Sequence, residues 1–220
     1  MSTIPLEYFR TALDWLKEQP YVDGGRIGVM SASRGSEAAL LLAVLFTDVR
    51  AVVVTAAQSV MWAGWDPAAG RSTGVSPWTY QGRNLAYVSV QPGPCARVGG
   101  TGSDVLRCAL NQYHDAVLHA TIPVEKTDAP LFLIAGLDDR VSPSDAMAKQ
   151  IEDRRARAHV SDKDVVLYLR HTGHVIPNWY GPPSLDFGHF GGDRGGVAKA
   201  FQTVWPAMLH FLHLNLGGEE

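Results

Sequence analysis

Three kinds of side chain that take part in nucleophilic catalysis each follow a short apolar run in this sequence. They are a serine, Ser33, a pair of aspartates, Asp138 and Asp139, and a histidine, His174. Serine is a poor nucleophile until a base removes its proton, and histidine suits that step near neutral pH. A carboxylate fixes the histidine tautomer and supports the imidazolium that forms. The residue types therefore predict a Ser–His–Asp catalytic triad.

The sequence around Ser33 predicts a sharp turn between a strand and a helix. Residues 27–30 form an apolar run, residues 31–35 read SASRG, and an alanine- and leucine-rich helix follows. The pattern small-x-Ser-x-Gly exposes a serine at the bend, where small neighbours let the strand and helix backbones come close. Ser31 stands where glycine is usual, so an ordinary turn in which serine caps the helix remains an alternative.

The partners of the serine are chosen from their positions along the chain. The backbone N–H of Arg34, at the helix N-terminus, is the expected oxyanion donor. Asp139 is preferred to Asp138 as the acid, although either could instead cap the next helix. His174 is preferred to His171 as the base, because it lies farther beyond the strand, where a loop can carry it over the sheet edge.

Strands alternate with helices along the chain. Apolar runs predict buried strands over residues 27–30, 50–57, 130–136 and 164–169. Amphipathic or apolar patterns predict helices over residues 5–19, 33–46, 145–157 and 197–214. This alternation predicts an α/β fold with a mainly parallel sheet flanked by helices. Parallel sheets gather reactive groups at the carboxyl ends of their strands, and the order Ser, Asp, His is that of the α/β-hydrolases.

Residues 58–120 break this pattern with tryptophans and tyrosines scattered among Gly, Pro and Ser. So long an irregular stretch is usually functional, and we expect a lid or binding loop inserted in a single domain of residues 1–220. A surface excursion whose aromatic side chains seal it to the core is the alternative.

The overall charge excludes some classes of partner. A net charge of −3 gives no long-range attraction to nucleic acid or anionic lipid. The densest basic cluster, Arg154, Arg155 and Arg157, is expected on the exposed face of a helix.

Other features of the chain predict its surroundings and cofactors. Cys95 and Cys108 make no metal-binding pattern; they could pair across one loop, but reduced thiols are expected. No signal segment or apolar run long enough to span a bilayer is present, so a cytoplasmic protein is expected. No spacing indicates a metal site or a cofactor.

Several separated motifs together resemble one family. They are LEYFRTALDWLKEQPYV at residues 6–22, IPVEK at 122–126, GLDD at 136–139, TGH at 172–174, and a late GG…A…W before the last helix. The chain resembles the C-terminal catalytic domain of the acyl-CoA thioesterase and bile acid-CoA:amino acid N-acyltransferase family. The resemblance implies a nucleophile at Ser33, an acid at Asp139 or Asp138, and a base at His174.

The resemblance also implies a reaction. Serine members of the family mainly hydrolyse the acyl group, whereas cysteine members can pass it to an amine. We therefore expect hydrolysis of an acyl thioester, acyl-CoA or carrier-bound, or of an ester, through an acyl-Ser33 intermediate. The alternatives are an acyltransferase or cyclase-type reaction on an activated acyl substrate, and a non-catalytic hydrolase-like binding subunit.

The chain departs from the family at its beginning. The family's N-terminal sandwich domain and first sheet strands have no counterpart here, and the second oxyanion donor normally lies on that part. The strand from Arg26 to Ser31 is then expected at an open sheet edge, which is an aggregation hazard. We expect this edge to be covered by a second copy of the chain, by a companion chain, or by residues 58–120.

Overall fold

The computed structural model of the chain describes residues 1–176 and 186–217. Its strands are β1 (Ile4–Pro5), β2 (Ile27–Ala32), β3 (Val49–Thr55), β4 (Trp65–Asp66), β5 (Arg71–Ser72), β6 (Trp78–Tyr80), β7 (Arg83–Asn84), β8 (Leu131–Gly136) and β9 (Val165–Leu169). Its helices are α1 (Leu6–Lys17), α2 (Arg34–Leu45), α3 (Gly102–Gln112), α4 (His114–Ala120), α5 (Ser144–Arg157), α6 (Phe187–Phe190) and α7 (Arg194–Leu216). Two short 3-10 helices are Pro94–Arg97 and Val124–Lys126.

Four strands form the central sheet in the order β2-β3-β8-β9, and all three neighbouring pairs are parallel. Every residue of β8 is buried, and so is every residue of β3 except Arg50. Successive residues of a strand face opposite sides of a sheet, so unbroken apolar runs require cover on both faces. The predicted mainly parallel sheet flanked by helices is confirmed.

Helices cover both faces of this sheet. Val52 and Val54 of β3, with Leu131 and Leu133 of β8, pack in the core that also contains the apolar residues of α1 and α2. The alternate residues of the same strands pack against α7 on the other face, namely Ala51, Val53, Phe132 and Ile134. The two faces of β3 and β8 therefore anchor two separate layers of helix.

Residues 58–120 contain more regular structure than the sequence predicted. They include α3 and α4 and two short hairpins, β4–β5 and β6–β7, and they contribute most of a core cluster that Met147 of α5 also joins. Trp62 is a buried member of this cluster. β6 also pairs in parallel with β1, which ties the segment to the start of the described chain.

Cys95 and Cys108 form a disulfide within this segment. The expectation of reduced thiols is wrong, because the Pro94–Arg97 turn packs on α3 and brings the two Cα atoms to 5.6 Å. That separation lies within the range that a disulfide requires. Because disulfides persist mainly in oxidising compartments, the bond does not support the cytoplasmic expectation.

β2 occupies one edge of the central sheet, as expected from the sequence. Its only strand partner among the described residues is β3, so residues 58–120 do not pair with it there. The Ser33 N–H donates to the Thr55 carbonyl of β3. Because the backbone N–H and C=O groups of successive residues in a strand point in opposite directions, those of Gly28 and Met30 point away from β3. The Met30 side chain is 46% exposed.

Arg155 is fully buried, so the expectation that the whole arginine cluster is exposed is wrong. It continues the buried stripe of α5 that contains Met147 and Ile151. Its guanidinium donates to Asp164 and to the backbone carbonyls of Val124, Thr127, Ala129 and Val160. These bonds compensate for the loss of hydration and join α5 to the segments that enter β8 and β9.

Replacing Arg155 tests this structural role. We expect Arg155→Met to lower the free energy of unfolding by about 3–5 kcal/mol, because Asp164 would remain buried without its cationic partner. Urea unfolding monitored by tryptophan fluorescence measures the change. Arg157→Met, on the exposed side of the same helix, is the matched control and should change stability by less than about 0.5 kcal/mol. Equal effects of the two substitutions would contradict this assignment.

Candidate active site

Ser33 stands at the sharp turn that joins β2 to α2. Its backbone has φ 53° and ψ −128°, a conformation that non-glycine residues rarely adopt. A Cβ atom on Gly35 would lie 2.2 Å from the Ser31 hydroxyl oxygen, so a larger residue at this position would require the Ser31 side chain to rotate. The local geometry is therefore the strand–turn–helix bend that small-x-Ser-x-Gly predicts.

The structure brings Ser33, His174 and Asp139 together, although they are far apart in sequence. His174 Nε2 lies 2.8 Å from Ser33 Oγ. His174 Nδ1 lies 2.9 Å from Asp139 Oδ2 and 3.1 Å from Oδ1. His174 and Asp139 are both buried, with about 9% of each residue exposed. One ring nitrogen can therefore accept the serine proton while the other donates to the carboxylate.

Asp139 is held by donors from the loop that follows it. The backbone N–H groups of Val141 and Ser142 donate to Oδ1 at 2.9 and 3.0 Å. The Ser144 hydroxyl donates to Oδ2 at 2.6 Å. Donors on both oxygens fix the plane of the carboxyl group toward the histidine ring. Ser144 was not predicted as a site residue, although a hydroxyl residue at the start of the helix after the acid was a signal that could have identified it.

The two alternative residues lie elsewhere. Asp138 is nearly half exposed and accepts from the Gly192 N–H at 2.7 Å. The His171 side chain is 74% exposed and faces Asp193. Neither is among the hydrogen-bond partners of His174 or Ser33 in the described part of the chain.

The loop that carries His174 depends on the absence of a side chain at Gly173. A Cβ atom there would lie 2.2 Å from the Phe190 carbonyl oxygen, and one on Gly136 would lie 2.3 Å from the Gly173 carbonyl oxygen. The His174 N–H donates to the Phe190 carbonyl at 2.8 Å. The close packing of three backbones fixes the position from which the imidazole reaches Ser33.

Arg34 contributes a backbone donor and a guanidinium to this region. Its N–H belongs to the first turn of α2, where amides have no acceptor within the helix. Its guanidinium donates to the carbonyls of Trp62 and Ala63 at 2.7 and 2.9 Å and pairs with Glu37 at 2.8 Å. The helix that starts at the nucleophile turn is thereby joined to the first residues of the 58–120 segment.

Glu37 is a fully buried carboxyl that the sequence analysis missed. It accepts from Trp78 Nε1 at 2.8 Å and from the Trp62 N–H at 3.3 Å, besides pairing with Arg34. Burial raises the pKa of Glu37 to about 7, and the Arg34 guanidinium and the two tryptophan donors oppose the rise. A carboxylate within an otherwise alanine- and leucine-rich helix was the signal that could have identified it.

The raised pKa of Glu37 predicts a pH-dependent stability. Between its ordinary value of 4.5 and about 7, the folded chain keeps a proton that the unfolded chain has lost, so this group lowers stability as pH rises. The full effect is about 3 kcal/mol. We expect Glu37→Gln to remove this component, so that wild type loses stability relative to the variant between pH 5 and pH 8.

Urea unfolding of both proteins at the two pH values measures that difference. Glu18→Gln, at the exposed end of α1, is the control and should follow wild type at both. A stability difference between wild type and Glu37→Gln that does not change with pH would contradict the assignment.

Two further properties concern the described residues as a group. Among residues 1–176 and 186–217, no cluster of three or more His, Cys, Asp or Glu side chains could hold a metal ion. None of the helices within these ranges is long and apolar enough to cross a membrane.

The fold is that of α/β-hydrolases of known structure. An acylaminoacyl peptidase from Pyrococcus horikoshii matches 97% of this chain and 28% of its own, with a TM-score of 0.55 and 11% identity. A puromycin-hydrolysing peptidase from Mycobacterium tuberculosis matches 97% of this chain and 25% of its own, with a TM-score of 0.52 and 16% identity. At such low identity these matches show the fold alone.

Comparison of sequences identifies a more specific family. Human acyl-coenzyme A thioesterase 6 is 24% identical over 228 residues, which is 100% of this chain and 51% of that protein. Mouse acyl-coenzyme A thioesterase 6 is 27% identical over 230 residues, with the same coverage. The chain thus spans about half the length of these relatives. The model of the family described as BAAT / Acyl-CoA thioester hydrolase C terminal matches residues 4–218, and the chain belongs to that family.

Proposed function

We propose that this protein is a serine hydrolase that cleaves an acyl thioester, acyl-CoA or carrier-bound, or an ester. The observation that carries the proposal is the continuous contact from Ser33 through His174 to Asp139 at a strained strand-to-helix turn. The thioesterase relatives support a thioester as the bond that is cleaved. Under this proposal Ser33 is the nucleophile, His174 the base and Asp139 the acid.

The proposed reaction begins with acyl transfer to the enzyme. His174 Nε2 takes the Ser33 proton as Oγ attacks the acyl carbon, and the carbonyl oxygen becomes an oxyanion. The Arg34 N–H stabilises this charge, and Asp139 stabilises the imidazolium. The carbon–sulfur bond then breaks, and the departing thiolate takes the proton from His174. The products of this step are a free thiol and acyl-Ser33.

The second step releases the acyl group. Water enters the space vacated by the thiol, and His174 removes its proton as the oxygen attacks the acyl carbon. The bond to Ser33 Oγ breaks, the serine recovers its proton from His174, and a carboxylic acid leaves. Because the same imidazole serves both steps, loss of either the ring or its carboxylate partner slows both steps.

We further propose that residues 58–120 cover the acyl group during this cycle. Trp62 and Ala63, at the start of the segment, are held by Arg34 beside the nucleophile. At the other end of the site, the Ser103 N–H of α3 donates to the Arg140 carbonyl at 3.1 Å, directly after the acid. The segment therefore contacts both the turn with Ser33 and the loop with Asp139.

Substitutions at Ser33 and Asp139 test the proposed chemistry. We expect wild type to hydrolyse an acyl-CoA or a p-nitrophenyl ester and to be labelled by a fluorophosphonate. Ser33→Ala should lose both properties. Asp139→Asn should lower kcat by about 10⁴, because the imidazole loses the partner that sets its tautomer. Intact-mass spectrometry and steady-state kinetics measure these effects.

Asp138→Asn is the matched control, because asparagine keeps the acceptor for the Gly192 N–H. We expect its kcat to stay within about threefold of wild type. If Asp138→Asn loses activity and Asp139→Asn keeps it, the acid is Asp138. Mass spectrometry of the products formed in the presence of added amine or alcohol acceptors distinguishes hydrolysis from acyl transfer. A wild-type protein that neither hydrolyses nor labels would support the non-catalytic reading.

We also propose that the open edge of β2 is paired in solution by a strand of a second copy or of a companion chain. The edge presents the backbone groups of Gly28 and Met30, and the strand contains no charged side chain that would deter pairing. An exposed edge strand of this kind readily accepts another strand.

Amide hydrogen exchange tests this pairing. The N–H groups of Gly28 and Met30 should exchange slowly in the native assembly, as slowly as those of the buried strand β3. Light scattering then distinguishes a second copy, which doubles the mass, from a companion chain. Rapid exchange at both positions would show that the edge is bare and would overturn the proposal.

A further inference from the structure

Gln58 is a buried amide that neither composition nor motif singled out. It lies just beyond the end of β3 and is 1% exposed. The chain reaches it through Ala56, whose φ of 50° turns the backbone sharply at the strand end. A positive φ is strained at alanine, so the contacts around it must offset the strain. Gln58 supplies one of these contacts, from its carboxamide to the Ala56 carbonyl.

On one side Gln58 contacts the turn that carries the nucleophile. Its backbone N–H donates to the Ser36 hydroxyl oxygen at 2.9 Å. The Ser36 hydroxyl in turn donates to the Ser33 carbonyl oxygen at 2.6 Å. The backbone of Gln58 therefore helps to hold the strained peptide at Ser33.

On the other side the Gln58 carboxamide contacts the loop that carries the acid. Nε2 donates to the Ala56 carbonyl at 2.9 Å and to the Ser142 hydroxyl oxygen at 3.2 Å. Ser142 donates from its backbone N–H to Asp139 Oδ1 at 3.0 Å. Its hydroxyl lies 3.4 Å from Asp139 Oδ2 and 3.4 Å from His174 Nδ1.

The carbonyl oxygen of the Gln58 carboxamide also has a hydrogen-bond partner. Gln58 Oε1 accepts from Trp62 Nε1 at 2.8 Å, so the orientation of the amide is fixed by a donor on one side and acceptors on the other. Only glutamine or asparagine can donate and accept in this way, and only glutamine has this length. The side chain lies between the nucleophile turn, the acid loop and the start of the 58–120 segment.

We propose that Gln58 is a positioning residue that, through Ser142, holds Asp139 and His174 in register with Ser33. This inference rests on the proposed function, because it assigns Gln58 to the reaction that those three residues perform. Gln58 contacts none of the reacting atoms. Its effect is on the distance between base and nucleophile, where a misplacement of about 1 Å can cost about 10²-fold in rate.

A double-mutant cycle tests the proposed route through Ser142. Gln58→Met keeps the length of the side chain and removes its donors, and Ser142→Ala removes the hydroxyl. We expect each to lower kcat by about 10–100-fold with KM changed by less than about threefold. The double variant should be no slower than the slower single variant by more than about twofold, because both changes interrupt one chain of contacts.

Multiplicative losses in the double variant, or a kcat unchanged in Gln58→Met, would overturn the inference. Gln58→Glu provides a second test if the methionine variant fails to fold, because it keeps the shape and the acceptor for Trp62 but cannot donate to Ser142. It should lose kcat as Gln58→Met does, and wild-type kcat in this variant would also overturn the inference.

The matched control is Thr127→Val, which removes a buried hydroxyl outside the 58–120 segment. Thr127 Oγ1 accepts from the Ala129 N–H at 3.2 Å, at the entry to β8. Its kcat should match that of wild type even where its melting temperature falls. If wild type itself neither hydrolyses nor labels at Ser33, the proposed function fails. If wild type is active and the Gln58 variants match it, only this inference fails.

Discussion

The site depends on one strained backbone conformation, that of Ser33 at φ 53° and ψ −128°. The turn is held from both sides. Ser33 N–H donates to the Thr55 carbonyl of β3 at 2.8 Å, and its carbonyl accepts from the Ser36 N–H and hydroxyl at 2.9 and 2.6 Å. A strained backbone conformation persists only where several surrounding contacts hold it. These bonds keep the hydroxyl in front of the His174 ring.

The same kind of strain recurs along one edge of the sheet. Beyond the carboxyl ends of β2, β3 and β9 lie three non-glycine residues with positive φ, namely Ser33, Ala56 and His171. Each turns the chain sharply where a strand ends, which allows side chains from separate loops to converge. Because strain of this kind concentrates at functional sites, the clustering at a single edge agrees with the position of the proposed active site.

Much of the architecture could be predicted because unbroken Val, Leu and Ile runs identify buried parallel strands. The strand ends in turn placed Ser33, Asp139 and His174 at one edge, without any knowledge of side-chain positions. Helix bounds were accurate to about three residues, since fraying makes the ends the least certain part of a helix. The parts of the site that follow from regular structure were therefore accessible from sequence.

What could not be predicted depends on contacts between residues far apart in sequence. Glu37 and Arg155 look like ordinary surface charges in a helix until the donors and carbonyls around them are known. The disulfide required the packing of the Pro94–Arg97 turn on α3. That helix did leave a local signal, a capping box between Thr101 and Asp104, which the aromatic and glycine-rich composition around it obscured.

Arg34 joins the chemistry of the turn to the segment that lies above it. The Arg34 N–H belongs to the peptide bond between Ser33 and Arg34, which the hydrogen bonds of the Ser33 backbone hold in place. The Arg34 guanidinium extends in contrast to the carbonyls of Trp62 and Ala63. A displacement of residues 58–120 would therefore move the flexible end of this side chain and leave its N–H where it is. Catalysis requires a donor preorganised for the transition state, and a bulky acyl group requires a cover that can adapt. With both ends on one residue, the proposed oxyanion donor would stay rigid while the proposed cover above it adjusted to a substrate.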